Sequence, residues 1–166
     1  MALRKATDAD TSLIQNIADI SWRAAYSDIL SKEQIDYMLD SMYSDEEIHN
    51  QLANLDYHYF IVEDDQDHNK PVGYIGYEHY VEAHTTKLHR IYLIPDARGK
   101  GFGKEAILFA RYMAEARGND RLILNVNKEN PAKNIYESLG FSVYDEIVLD
   151  IGNGYVMDDY MMELKW

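Results

Sequence analysis

The chain contains no cysteine. Disulfides, thiolate nucleophiles and cysteine-held metal centres are therefore excluded. The six histidines show no helical His-x3-His pair, and without cysteine partners no zinc site is expected from them. Phenylalanine is scarce, four against fourteen tyrosines, so much of the aromatic surface carries a hydroxyl that needs a partner when buried. No apolar run approaches the roughly 20 residues of a membrane-spanning helix. The first residues, Met1-Ala2-Leu3-Arg4-Lys5, lack a signal-peptide core, and a cytoplasmic protein is expected. Positive charge is also short, with 16 Lys/Arg against 29 Asp/Glu and a net charge of −13. That balance argues against nucleic acid or an anionic membrane as partner.

What is present suits one globular domain over 1–166, with 46% apolar residues. The charge is unevenly spread. Residues 87–139 hold ten Lys/Arg and six Asp/Glu, while the remainder holds six and twenty-three. Phosphates would be drawn to the first segment and a cationic acceptor to the second.

Local patterns give an order of elements. Leu3–Ala6 reads as a short strand. Leu13, Ile14, Ile17, Ala18 and Ser21 fall at helical spacing. Ser31-Lys32-Glu33-Gln34 and Ser44-Asp45-Glu46-Glu47 are capping-box patterns ahead of two further helices. Strands follow at 58–63, 72–78 and 85–93, then a helix from about 105 and a strand at 121–126. Pro131 suits the first turn of another helix and Gly140 its C-terminal stop. Asn153-Gly154 marks a hairpin between two closing strands.

The most telling segment is Arg98-Gly99-Lys100-Gly101-Phe102-Gly103-Lys104, between a strand and a helix start. Such a turn offers unpaired backbone N–H groups and the positive end of a helix to an anion. Two nucleotide patterns fit poorly. A G-x-G-x-x-G count from Gly101 ends on Ala106, and the acid expected about twenty residues on falls in the turn Gly118-Asn119-Asp120. A P-loop needs one more residue between its glycines and Ser or Thr after its lysine; Glu105 follows Lys104 here. Arg98, Gly101 and Gly103 do meet Arg/Gln-x-x-Gly-x-Gly/Ala. This resembles the pyrophosphate signature of the GNAT family of acetyl-CoA-dependent N-acyltransferases. Ala132–Phe141 is similar to the same family's A-x-x-x-Y-x-x-x-G-F segment, with Asn130 one residue closer to Ala132 than the family's asparagine.

The resemblance implies the GNAT fold, an α/β (α+β) arrangement with a mixed, mostly antiparallel sheet of about seven strands flanked by helices. It also implies an acetyltransferase with acetyl-CoA as co-substrate and no metal, bound where the strands on either side of the loop helix splay apart. On that basis the backbone of Gly99 to Lys104 would hold the pyrophosphate, with charge added by Arg98 and Lys104. The strand backbone at Ile91, Tyr92 and Leu93 would accompany the pantetheine arm, and Asn130 is included in the cofactor set. Tyr136 is the general-acid candidate, since a phenol is protonated at neutral pH. His89 is the candidate base, supported by arylalkylamine-type members, with Glu78, Glu63 or a water as alternatives. Lys87 departs from the two-histidine pattern of those members. Trp22, Tyr26 and Glu78 are expected on the acceptor side. A small amine is the expected acceptor, with polyamines first through a loose likeness to bacterial polyamine acetyltransferases. Protein N-termini or lysines, and a non-catalytic CoA sensor, stay open. The strand edges of the C-terminal hairpin are ones family members often pair in a homodimer.

Overall fold

The computed structural model describes residues 1–166. Strand β1 (Ala2–Lys5) leads through a single 3-10 turn into α1 (Thr11–Tyr26), α2 (Lys32–Met42) and α3 (Asp45–Ala53). Then come β2 (Tyr57–Asp64), β3 (Lys70–Glu82) and β4 (Thr85–Leu93). The loop helix α4 (Phe102–Ala116), β5 (Arg121–Asn127), α5 (Ala132–Ser138), β6 (Ser142–Gly152) and β7 (Tyr155–Lys165) complete the chain. The seven strands lie in the order β1-β2-β3-β4-β5-β7-β6. Every neighbouring pair is antiparallel except β4–β5. The expected mixed sheet of seven strands flanked by helices is what forms.

Local chemistry accounts for the boundaries. Ser31 and Ser44 each accept a hydrogen bond from the backbone N–H three residues on, at 3.1 Å, and start α2 and α3. Asn153 and Gly154 both have positive φ, as a tight hairpin with the strands' own twist requires. The loops differ from expectation mainly in strand length: β3 runs on to Glu82, because β4 continues to pair with it down to Thr85.

The sheet has two apolar faces. On one, α1, α2 and α3 bury Ile14, Trp22, Ile35 and Ile48 against Tyr59, Ile61 and Tyr74. On the other, α4 buries Ala106, Ile107 and Ala110 against Val72, Ile75, Leu122 and Leu124. The first face contains a cation. Arg90 is 7% exposed and has no carboxylate partner. Its guanidinium donates to the Tyr59 hydroxyl at 2.6 Å and to the carbonyl of Met42 at 2.8 Å, and lies 4.1 Å over the Tyr43 ring. Met42 is the last residue of α2, so the negative end of that helix and an aromatic face hold the charge. Arg90 thereby ties α2 to β4.

Two buried ionisable groups pull stability in opposite directions with pH. His79, 2% exposed, bonds Thr86 through Nδ1 at 2.8 Å and leaves Nε2 without a partner. Burial, helped by His58 and Arg117, pushes it down to about 4. Below pH ~6.5 the unfolded chain takes this proton and the native protein does not, so stability falls toward pH 4. Asp159 is pushed up to about 6 by burial, with Asp158 adding and Lys87 opposing. Its native form keeps a proton that the unfolded chain has lost above pH ~4, so stability rises as pH falls through 6. Each contribution is on the order of 3 kcal/mol, and the two largely offset each other. Asp159→Asn is therefore expected to be more stable than wild type at pH 7 and to lose stability more steeply between pH 6.5 and 4. Urea unfolding at several pH values checks this; parallel profiles would refute it.

Candidate active site

β4 and β5 run parallel and pair only from Thr85–Arg121 to Lys87–Ile123. Beyond Lys87 they part, because β5 is held by β7 along its whole length while β4 stays with β3. A cleft of about 540 Å³ opens between them. His89 to Leu93 line one wall, Leu124 to Val126 the other, and Asn130, Pro131, Ala132, Ile135 and Tyr136 close one side. Ala24, Ala25 and Tyr26, at the end of α1, and the loop into α4 complete it.

The loop meets the chemical demand of a phosphate. The N–H of Arg98 bonds the Pro95 carbonyl and that of Glu105 the Gly101 carbonyl, both at 3.1 Å; the six N–H groups from Gly99 to Lys104 have no partner within the protein. Gly99 and Gly101 have φ of +78° and +83°, which turns these donors to one side at the start of α4. Arg98, Gly99, Gly101, Phe102, Gly103 and Lys104 all line the cleft. Lys100 does not; its ammonium lies 3.4 Å from Asp64. An anionic, extended ligand fits this cradle and the free strand edges behind it.

A side chain at position 101 would meet nothing within 4 Å, so the cost of Gly101→Ala is backbone strain of about 1 kcal/mol plus the volume of a methyl in the anion cradle. Relief of that strain by a shift of the loop turns N–H groups off the anion, and a rise of about tenfold in KM for acetyl-CoA, with acceptor KM unchanged, is expected. Steady-state kinetics with each substrate varied in turn would test it.

His89 owes its position to a bulge. Register passes from Gly76–Arg90 to Tyr77–Leu88, leaving His89 as the extra residue of β4. It turns toward the helical face and stacks on Tyr57, 5.2 Å between centroids at 15°. Gly76 leaves room for that tyrosine: a Cβ there would lie 3.0 Å from its hydroxyl. His89 Nε2 is 3.0 Å from Glu78 Oε1. With the carboxylate accepting from Nε2–H, the lone pair sits on Nδ1. Burial pushes the imidazole down against the pull of Glu78, and Lys87 and Arg90 push the same way. A neutral ring able to accept a proton is the result.

Across the cleft, Tyr136 stands on α5, with its ring against Phe141 at 5.9 Å. Its hydroxyl has no hydrogen-bond partner in the protein, and burial pushes the phenol up, so it stays protonated. Tyr26 bonds the Tyr92 hydroxyl at 3.2 Å and receives a hydrogen bond from Asn130 Nδ2 at 3.3 Å. This joins α1, β4 and the loop before α5 at the cleft floor.

The structure sorts the sequence candidates. His89, Tyr136, Tyr26, Asn130 and Ile91, Tyr92 and Leu93 come together in the cleft. Glu78 reaches it only through His89. Trp22 does not: it is 2% exposed, packed behind Tyr26 and Tyr92, and its indole N–H donates to Tyr43 at 3.2 Å. One turn deeper in α1 than Tyr26, it is core rather than acceptor wall. Glu63 lies at the β1–β2 edge beside Arg4, away from the cleft. Leu124, Asn125 and Val126 line the cleft without having been singled out by sequence, since a buried strand run announces no open edge.

Known proteins share this fold. The model of the acetyltransferase (GNAT) family matches residues 14–141. The chain belongs to the GNAT family. It is thus an N-acetyltransferase that uses acetyl-CoA. Over 99% of its length it is 28% identical to a spermidine N(1)-acetyltransferase of Thermoplasma acidophilum, covering 96% of that protein. The structure of the PaiA N-acetyltransferase of Thermoplasma acidophilum in complex with coenzyme A superposes with a TM-score of 0.83 at 26% identity, covering 99% of this chain and 98% of that one. An N-acetyltransferase from Rhodopseudomonas palustris gives 0.82 at 20% identity, covering 99% and 95%, and shares the fold. No helix is long and apolar enough to cross a membrane.

Proposed function

We propose that this GNAT member acetylates small cationic amines, polyamines first, by direct transfer. The reading is carried by the full-length likeness to a spermidine N(1)-acetyltransferase. The charge of the chain supports it: the acidic excess lies outside residues 87–139, so a basic acceptor and an anionic co-substrate are drawn to different regions.

Acetyl-CoA supplies an activated acyl carbon and a thiolate leaving group. The free N–H groups of Gly99, Gly101, Phe102, Gly103 and Lys104, with the Arg98 and Lys104 side chains beside them, hold the pyrophosphate. The open edge of β4 at Ile91 to Leu93 aligns the extended arm, and a backbone N–H there polarises the carbonyl. Nδ1 of His89, oriented by Glu78, takes the proton the amine must shed. Tyr136 O–H, otherwise unpartnered, returns a proton to the departing sulfur.

Thiol release from acetyl-CoA, followed across spermidine, spermine, short diamines, and peptides with a free N-terminus or lysine, tests the proposal. The highest kcat/KM is expected among the polyamines and diamines. Turnover confined to the peptides would replace it with protein acetylation.

A further inference from the structure

One carboxylate near the cleft is left without a partner. Asp159 is the fifth residue of β7, opposite Asn127 of β5 and Ile147 of β6. Its side chain is on the α1–α3 face: Met157, two residues earlier, packs with Trp22 and Tyr26, whereas Met162 belongs to the α4 side. The residue is 6% exposed. Oδ1 is closed off from solvent with no partner, and neither oxygen receives a hydrogen bond or an ion pair from the protein. Its neighbour Asp158, by contrast, is exposed and pairs with Lys128 at 3.1 Å.

Position gives this orphan a meaning. Its charge acts on Tyr26, which lines the cleft at the end of α1, and on Lys87. Lys87 is the last β4 residue paired with β5, and so stands where the gap begins. Asn127, opposite Asp159, accepts from the backbone N–H of Asn130, whose side chain donates to Tyr26. The carboxylate therefore lies beside the Tyr26–Asn130 floor of the cleft, beyond the last β4–β5 pair at Ile123, on the face carrying His89 and Glu78. A buried, unpaired carboxylate is costly, and a water would satisfy a lone pair without balancing the charge. A cation would balance it. A diamine or polyamine supplies one, because only the reacting nitrogen has to be neutral; the others remain protonated at neutral pH.

We propose that Asp159 holds a protonated, non-reacting amine of the acceptor while another nitrogen of the same molecule is presented beside His89. The proposal rests on the small-amine reading above and names the residue that would select a second positive charge. Lys87, on the same side, disfavours a cation bound anywhere but against this carboxylate.

The test compares 1,4-diaminobutane with 1-aminobutane, equal in chain length and different by one charge, on wild type and Asp159→Asn. The near-isosteric variant loses only the charge, and thermal melting confirms its fold. KM for the diamine is expected to rise about tenfold or more, with kcat within about twofold and KM for the monoamine unchanged. Calorimetry of 1,4-diaminobutane binding to CoA-loaded protein gives a second readout, with about tenfold weaker binding expected in the variant. Diamine binding that depends on Asp159, without turnover of any amine, would leave the inference standing and remove the small-amine reading. Equal KM changes for both amines, no change for the diamine, no diamine binding by wild type, or equal binding by the variant would overturn it.

Discussion

Tyr136→Phe is expected to lower kcat by about two to three orders of magnitude, the range of a lost general acid. KM for acetyl-CoA should hardly move, because the cradle at Gly99–Lys104 and the β4 edge are untouched. The hydroxyl has no protein partner, so its removal breaks no internal hydrogen bond and the ring still packs on Phe141. Thermal stability should match wild type. The effect should also depend on the leaving group: a thioester whose thiol has a lower pKa needs the proton less, so the variant should recover part of its deficit with such a donor. Rate measurements with the natural and the activated thioester separate the two cases. A kcat within a factor of about three of wild type would mean that water or another group protonates the sulfur, and that Tyr136 is a packing residue.

Arg90→Ala should cost about 3–5 kcal/mol, as expected when one member of a buried charged network is removed. Truncation leaves the Met42 carbonyl and the Tyr59 hydroxyl short of a donor, opens a cavity against Tyr43, and frees the C-terminus of α2. Arg90→Met separates volume from charge. It fills most of the space and relieves the burial of an ion that no carboxylate balances, so roughly half the loss is expected. Urea unfolding of the two variants gives both numbers. Equal losses would show that the hydrogen bonds, not the packing, dominate. Because the same side chain follows the bulge at His89, Arg90→Met should also raise acceptor KM more than it changes KM for acetyl-CoA.

The parts of this molecule legible in its sequence are those set by a few adjacent residues. Ser31 and Ser44 cap helices wherever the chain around them folds, Asn153-Gly154 turns a hairpin through its own backbone preferences, and the glycines at 99 and 101 turn a loop. Tyr136 became a candidate because the segment that carries it is contiguous in sequence. What stayed hidden depends on strands distant in sequence. The gap between β4 and β5 exists because β7 inserts beside β5, the bulge at His89 is a count of β4 against β3, and Asp159 acquires its setting from Tyr26 and Lys87. Trp22 and Tyr26 share a helical face, and periodicity cannot say which of them reaches the end of the packed layer.

The unpartnered N–H groups of the loop have a kinetic consequence. Under the proposed function, a pyrophosphate seated there is common to acetyl-CoA and to the CoA left after transfer, and the whole pantetheine arm separates it from the acetyl group. Attraction at the cradle strengthens substrate and product alike and cannot tell them apart. Discrimination is left to two carbons and an oxygen beside His89 and Tyr136. With that seat saturated by coenzyme, turnover is expected to follow the ratio of acetylated to free coenzyme, and initial rates at fixed total coenzyme and varied ratio check this.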